Sequence, residues 1–455
     1  MKDIISLAKR RGFIYQGSEI YGGLAGVYDF GPRGVELLNN IKKSWWSANV
    51  YQKENYFGLD SGMFKNPRVW EASGHTAGFS DPLAECRSCN ARIRVDKELA
   101  KINVTADEKM SEQEINRLFD EHRDEIECPS CGKKDFTPVR AFNLLVKTNL
   151  GDFTSEGNEP VYLPGEACQG IYLNYKNILD SMNPKIPFGV AQIGKAFRNE
   201  ISPRNFLFRT REFEQADTQL FIRPNENKDA FEALKQDRWN WFLSLGINEK
   251  KLRFTQHENL VFYAKDAWDI EYEFPWGFDE VEGVHDRSDY DLTQHMQFSG
   301  VDLRYIDADK GDNFVPWILE TSMGLGRVFL AILCDAYHTE EMDGETRAVL
   351  KLAPHLAPVK ACVSPLLKNK PELQDKARSV YATLKKEFGA VMYDDNGNIG
   401  KRYRRQDEIG TPFCIVIDFD TLENDMVTVR DRDTGEQEHV AITELVSYIA
   451  NKQSQ

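Results

Sequence analysis

Two stretches of this sequence carry residues whose types and spacing could do chemistry together. In the first, Phe197-Arg198-Asn199-Glu200 is followed by Ile201-Ser202-Pro203-Arg204-Asn205 and then by Phe206 through Phe221. Pro203 and Asn205 mark a turn, which predicts a strand, a loop and a returning strand. Alternate residues of a strand share a face. Arg209, Arg211, Phe213, Gln215, Asp217 and Gln219 then line one side of the returning strand, and Arg198 and Glu200 point together on the first. Such a face can be a solvated sheet surface. The mixture also suits a nucleoside triphosphate. Arginines grip phosphate oxygens in bidentate fashion, an aromatic ring between them can stack a base, and a carboxylate can accept from an exocyclic amine.

The second stretch runs Val315-Pro316-Trp317-Ile318-Leu319-Glu320-Thr321-Ser322-Met323-Gly324-Leu325-Gly326-Arg327 into an apolar helix, Val328–Tyr337. Glu320 and Ser322 share a strand face. Gly324 and Gly326 are expected to let the backbone turn sharply. Arg327 then starts a helix, where free N–H groups and the dipole already favour phosphate. The pattern is neither a Walker loop nor a dinucleotide fingerprint.

Two further groups stand apart. Cys86-Arg87-Ser88-Cys89 and Cys128-Pro129-Ser130-Cys131-Gly132 are each half of a tetrahedral Zn²⁺ site. Four cysteine ligands would make it structural, with no position left for substrate; two unrelated thiol pairs is the alternative. Near the end, Lys401-Arg402-Tyr403-Arg404-Arg405 interleaves one ring with four cations. That is either a solvated charged loop or a surface for stacking and phosphate contact with single-stranded RNA. His257, His285, His295 and His338 lack Cys or His partners at ligand spacing and are assigned core or surface roles; Arg287 is a candidate to reach the site.

These groups need a scaffold. Residues 1–80 hold Gly-rich turns and a helix over about 35–50, where Leu37, Ile41 and Trp45 recur on one stripe. Residues 81–140 are polar, hold the paired cysteines, and contain Ser111-Glu112-Gln113-Glu114, a capping box opening a helix through about His122. Residues 141–353 alternate extended segments with helices. Ala353-Pro354-His355-Leu356-Ala357-Pro358 reads as a linker into 354–455. There a strand (Val359–Val363), a helix (about 371–388) and a strand (Phe413–Ile417) make an α/β pattern.

Composition bounds the rest. Of 455 residues, 41% are apolar and 28% charged, which excludes global disorder. Against 57 Lys and Arg stand 72 Asp and Glu, a formal charge of −15, so indiscriminate coating of nucleic acid is excluded and a local basic surface is not. No apolar run approaches the ~20 residues of a membrane helix, and the first residues lack the apolar core of a secretory signal. The expectation is a cytoplasmic protein without a disulfide framework.

Several of these segments resemble a known family. Phe197-Arg198-x-Glu200 with Arg209-x-x-x-Phe213 looks like motif 2 of the class II aminoacyl-tRNA synthetases, Gly324-Leu325-Gly326-Arg327 like motif 3, and the Gly31-Pro32-Arg33-Gly34 turn with its helix like motif 1. More closely, Tyr21–Gly26, Val69–His75, Arg198–Arg204 and Lys401–Pro412 are similar to the dimeric type of glycyl-tRNA synthetase, and the similarity runs to about residue 435. The resemblance implies an α+β fold: a class II antiparallel sheet flanked by helices, a zinc-knuckle insertion and a C-terminal α/β anticodon-binding domain. It implies a homodimer acting on ATP with Mg²⁺, glycine and tRNA(Gly). Arg198 would hold the α-phosphate, Glu200 the adenine amine, Phe213 the adenine ring, and Arg209 and Arg327 the pyrophosphate end. Glu166, Glu320 and Ser322, with Asp217 nearby, would bind glycine, and Arg402, Tyr403, Arg404 and Arg405 would meet tRNA. Cys86, Cys89, Cys128 and Cys131 would hold zinc.

The chain departs from that family's pattern in places. Where the family usually reads Leu-Arg-Pro-Glu-Thr-Ala-Gln-Gly, this chain reads Leu163-Pro164-Gly165-Glu166-Ala167-Cys168-Gln169-Gly170; Asp217 stands for Glu and Thr321 for Pro. Two rival readings are a catalytically inactive relative serving as an RNA-binding or polymerase accessory protein, and a related enzyme for another small amino acid. Retention of Arg198, Arg209 and Arg327 argues against the first, and Glu166, Glu320 and Ser322 together against the second.

Overall fold

The computed structural model describes residues 1–106, 110–150, 161–201, 203–257, 260, 264–342 and 344–453. Ser202, part of the predicted turn, lies outside the described residues. The central element is a seven-stranded sheet. Its strands are β1 (Tyr56–Leu59), β2 (Phe188–Phe197), β3 (Glu212–Ile222), β4 (Leu252–Gln256), β5 (Asp266–Phe274), β6 (Gly277–Ser288) and β7 (Trp317–Gly324). They lie in the order β4-β5-β6-β7-β3-β2-β1, and every neighbouring pair is antiparallel except β1 with β2.

One face of this sheet is covered by helices. Ala216, Ile270, Val281 and Met323 point into the main core, which α1 (Pro32–Trp46) and α4 (Leu325–Ala336) close from outside. The stripe read from the sequence is correct: Leu37, Ile41 and Trp45 are fully buried. Between these in the chain come α2 (Gln169–Met182) and α3 (Asn227–Ser244); α3 docks on the same face, and its Arg238 Nε donates to Glu282 Oε1 at 2.8 Å, both side chains wholly enclosed. The opposite face is covered only in part. There α2 packs Ile171, Tyr172 and Tyr175 on Phe188, Phe221 and Ile318 at one end. The remainder of that face, in the middle of the sheet, carries the predicted site.

The cysteine-bearing segment forms its own three-stranded sheet, Arg92–Arg94, Ser80–Glu85 and Arg140–Asn143, over a small core that includes Leu99, Ile115 and Phe119. The capping box is present: Glu114 N–H donates to Ser111 Oγ at 3.3 Å, and Ser111 N–H to Glu114 Oε2 at 2.8 Å. The C-terminal part is a five-stranded sheet with its own core. Its strands Ala361–Pro365 and Phe413–Ile417 and helix Pro371–Phe388 bear out the α/β pattern, with the first strand beginning at Ala361 rather than Val359. The 401–405 segment is not a loop. It lies in a helix, Ile399–Ile409, started by Asn398, whose side chain accepts from Lys401 N–H. Among the described residues no helix is long and apolar enough to cross a membrane.

Candidate active site

The loop between β2 and β3 differs from the expected strand pair. β2 ends at Phe197 and β3 begins at Glu212, so Arg198, Glu200, Arg209 and Arg211 lie off the ladder, and Phe206–Phe208 forms a 3₁₀ turn. The backbone pairing continues by one hydrogen bond past the strand ends and then gives way to loop contacts. Arg198 N–H donates to the Arg211 carbonyl at 2.9 Å, and Arg211 N–H to the Gly26 carbonyl at 2.8 Å. Gly26 has φ +73° and sits so close to Pro203 that a Cβ would lie 2.6 Å from it. The Gly-rich turn of the N-terminal segment therefore braces this loop.

The loop residues converge on the start of α4. Arg198 lies over the Phe213 ring, 5.4 Å from its centre, and over Phe79 at 5.2 Å. Arg209 Nη1 stands 3.5 Å from Glu200 Oε2. Arg327, in the first turn of α4, donates through Nε to the Phe208 carbonyl at 3.1 Å and pairs with Glu280 at 3.0 Å. Burial and the nearby Arg327 charge both lower the Arg198 pKa, as expected for two guanidiniums facing one cleft. Arg198, Glu200, Arg209, Phe213 and Arg327 line one continuous cleft. The strand passes directly into the helix here, as expected, but without a left-handed residue, and close approach is required only at Gly326. Gly324 is in extended backbone at φ −81°, and a Cβ on Gly326 would sit 3.2 Å from the Leu207 carbonyl oxygen.

Beside this cationic cleft is a small acidic socket. Asp217 on β3 faces Ser322 on β7, and Gln219 faces Glu320. Glu320 is 3% exposed and fully engaged: Arg287 Nη1 donates at 2.9 Å, Gln219 Nε2 at 2.8 Å, and His285 Nδ1 lies 3.1 Å away. Burial pushes its carboxyl up, but Arg287 and His285 hold it at about 2. Glu166 is pushed up by burial too, yet His75, with Nε2 at 3.4 Å, holds it well below the usual carboxylate range. Asp217 is 1% exposed and neither of its oxygens has a well-formed hydrogen bond; burial and the Glu320 charge push it well above the usual range. A buried, unsatisfied carboxylate is costly. It is the feature a bound cation would relieve.

The departures around Glu166 leave the loop anchored by its backbone. The Pro164 carbonyl accepts from Phe197 N–H at 2.7 Å and the Gly165 carbonyl from Arg198 Nε at 3.1 Å. Ala167 is held on both sides, its N–H by Gln215 Oε1 and its carbonyl by Gln192 Nε2, each at 3.0 Å.

Comparison with known proteins decides the family. Residues 152–336 match the tRNA synthetase class II core domain (G, H, P, S and T), and residues 360–452 match an anticodon binding domain. The glycine–tRNA ligase of Clostridium acetobutylicum is 49% identical over 99% of this chain and 98% of its own length. Those of Clostridium tetani and Geobacillus kaustophilus are equally 49% identical over 99% of the chain and 98% of their own lengths. The chain belongs to the glycine–tRNA ligase family.

Sequence reasoning missed several residues at this ligase-family site. Arg287, held as a candidate, does reach Glu320, and it also pairs with Asp291 at 2.8 Å. His75, Gln169 and Gln219, which hold Glu166 and Glu320, were not singled out. Glu280 was not either, because a β-bulge aims it. β5 and β6 lose register between Ile270 and Glu271. Glu282 therefore points to the helix-covered face and Arg238, whereas Glu280 points to the cleft and Arg327.

Elsewhere in this class II architecture, the four paired cysteines converge. Cys86 and Cys131 Sγ are 3.6 Å apart, as are Cys89 and Cys128 Sγ, and all four sulfurs lie within 4.8 Å of one another. A tetrahedral zinc with ~2.3 Å sulfur bonds has edges of about 3.8 Å, so the donor set and its spacing fit that ion. In the anticodon-binding part, Arg402 is 3% exposed and donates to the carbonyls of Pro365, Asp395 and Gly397. Tyr403 lies under Arg430 at 4.7 Å, and Arg405 pairs with Asp394 at 2.8 Å. Arg404 donates to the Thr346 carbonyl at 2.8 Å.

Proposed function

We propose that this chain ligates glycine to tRNA(Gly). Glycine's carboxylate attacks the α-phosphorus of ATP, giving glycyl-adenylate and pyrophosphate, and the glycyl group then passes to the 3′ end of the tRNA. The observation that carries this reading is the unsatisfied Asp217 carboxylate beside the arginine-lined cleft. An ammonium and a triphosphate are the paired charges such neighbours accommodate.

The positions of the cleft residues support the following roles. Phe213 offers its ring to adenine, and Glu200 accepts from the exocyclic amine. Arg198 neutralises the charge growing on the α-phosphate, while Arg209 and Arg327 hold the departing pyrophosphate. Glu166, Asp217, Glu320 and Ser322 receive glycine. No side chain acts as nucleophile; positioning and fixed charge lower the barrier. Mg²⁺ bound with the nucleotide supplies further charge neutralisation, and Glu280, 3.0 Å from Arg327, is an oxygen ligand the cleft offers it. Discrimination against alanine must come from rigid walls, because one methylene alone is worth only about 1–3 kcal/mol. Strands β3 and β7, rather than loops, supply Asp217, Glu320 and Ser322, which suits that demand.

The four cysteines hold a structural zinc. Arg404 and Arg405 contact tRNA phosphates, with Arg402 and Tyr403 fixing the helix that presents them. The working unit is a cytoplasmic homodimer of the α2 type, and the chain divides at about 80, 140 and 353. The inactive-relative reading would forgo the motif arginines that this chain retains. Glycine-dependent ATP–pyrophosphate exchange tests the proposal: Arg198→Ala, folded by circular dichroism, should lose it, and exchange undiminished in that variant rejects the assigned role.

A further inference from the structure

The geometry points to a second metal site, for a divalent transition-metal ion such as Zn²⁺, formed by His257, Asp269 and His285 at the edge of the acidic socket. These residues are far apart in sequence but adjacent across three strands. His285 on β6 faces Ala267 on β5, and His257, just past the end of β4, donates its N–H to the Ala267 carbonyl at 3.0 Å. The two imidazoles therefore flank one small residue on the cleft side, with ring centres 6.0 Å apart. Asp269, two residues along β5, turns to the same face, and its Oδ2 lies 2.8 Å from His257 Nε2. One donor atom from each of the three lies within 4.8 Å of the others.

A plain His257–Asp269 ion pair accounts for two of these groups but not for the third. Glu320 meets His285 through Nδ1 at 3.1 Å, so Nε2 is the ring nitrogen turned toward the other two groups. That nitrogen hangs over Gly283. A Cβ built on Gly283 would lie 2.9 Å from His285 Nε2 and 3.6 Å from Asp269 Oδ1. The missing side chain thus leaves a cradle where an ion would sit. Ligand atoms on one tetrahedral zinc with ~2.0 Å bonds stand about 3.3 Å apart, so small side-chain rotations close the set.

Chemistry selects the ion. Two imidazoles and a carboxylate favour zinc, cobalt or nickel over magnesium or calcium, which separates this site from the ion that accompanies ATP. The carboxylates of Glu280 and Glu320 add negative potential to the same pocket. The chain Glu320–His285–metal repeats the arrangement in which a carboxylate orients a metal-bound imidazole. Three protein ligands leave coordination positions open toward the cleft. None of this depends on what the cleft binds.

The test is a count of zinc per chain. Full-length protein and its His285→Ala and His257→Gln variants are equilibrated by dialysis against the same low-micromolar Zn²⁺ and measured by elemental analysis. The parent should exceed each variant by one equivalent, whatever the cysteine cluster holds. Gly283→Ala retains all three ligands and fills the cradle, so it should lose the same equivalent and decides the matter should a histidine variant fail to fold. Equal zinc content in the parent and all folded variants overturns the proposal.

Discussion

Asp217 and Glu320 stand on adjacent strands in one buried socket: Arg287, Gln219 and His285 surround Glu320, while Asp217 has the Ser322 hydroxyl beside it and neither oxygen in a well-formed hydrogen bond. The contrast divides the labour. Glu320 is fixed and ionised before any ligand arrives. Asp217 becomes fully ionised only when a cation joins it.

This gives opposite signs for binding and stability at one residue. Because the folded-state pKa of Asp217 is raised, folding is favoured while it is protonated, and that stability is lost as pH rises through the raised value. At pH 8, Asp217→Asn should therefore raise the melting temperature of the ligand-free protein, because a neutral amide does not carry the burial penalty that raises the carboxyl's pKa, worth about 1–2 kcal/mol. The same change should raise the glycine KM about tenfold or more, the value of a lost charge-assisted hydrogen bond. In the parent the glycine KM should fall as pH rises, and in the variant that dependence should flatten. Calorimetry and initial rates across pH 6–9 check both signs; a variant that melts lower while binding glycine normally contradicts them.

Arg198 lies over Phe213, so the adenine and phosphate contacts proposed for the two are coupled. Arg198→Ala should lower kcat of exchange about 10²–10³-fold, the usual cost of removing one preorganised charge at a transition state. Phe213→Leu should act mainly on the ATP KM, by roughly fivefold, since a stacking contact is worth about 1 kcal/mol. Steady-state kinetics with ATP varied separate the two; a pure KM effect in Arg198→Ala would remove it from the transition state.

The strand Glu345–Leu350, which follows the matched class II core, is fastened to the anticodon-binding domain by a buried Asp407, which accepts from Arg347 at 2.9 Å and from Arg430 at 2.9 Å. Asp407→Asn removes one anionic partner from each of two enclosed arginines, of which Arg347 keeps Glu340, and should cost about 3 kcal/mol. Thermal unfolding should show the loss. A melting temperature unchanged within a degree would mean water already reaches this cluster.

Cys89→Ser should reduce zinc content and loosen the small core around Leu99, Ile115 and Phe119. Glycine-dependent exchange should persist, because the cleft residues lie on other elements, while tRNA charging declines. Zinc content unchanged by the substitution would exclude the cysteines as ligands.

Much of this arrangement was legible in the sequence because it follows short-range rules. The stripe of Leu37, Ile41 and Trp45, the Ser111 capping box and the helix Pro371–Phe388 are set by periodicity and local hydrogen bonding. Alternation placed Asp217, Glu320 and Ser322 on strands β3 and β7, where the pairing holds register. What failed involved broken register or distant partners. Arg198–Glu200 and Phe206–Arg211, on either side of the expected turn, read as strand from their residue types, yet beyond the Arg198–Arg211 bond their backbone turns to Leu144 and Gly26. Glu280 and Glu282 should share a face by period, and one bulge separates them. The 401–405 run reads as an exposed cationic segment, whether solvated loop or RNA surface, because it is charged, but it is helical and Arg402 is buried, closing carbonyls of neighbouring turns. His257 and His285 looked solitary because no spacing rule reaches across three strands.

The most direct measurement of the central claim is ATP–pyrophosphate exchange by the unmodified full chain with each of the twenty amino acids in turn. Glycine alone should support it, with alanine and serine at least about 10²-fold lower in kcat/KM. Comparable exchange with alanine, or no exchange with any amino acid, would contradict the reading of Asp217, Glu320 and Ser322 as a glycine socket beside an ATP cleft.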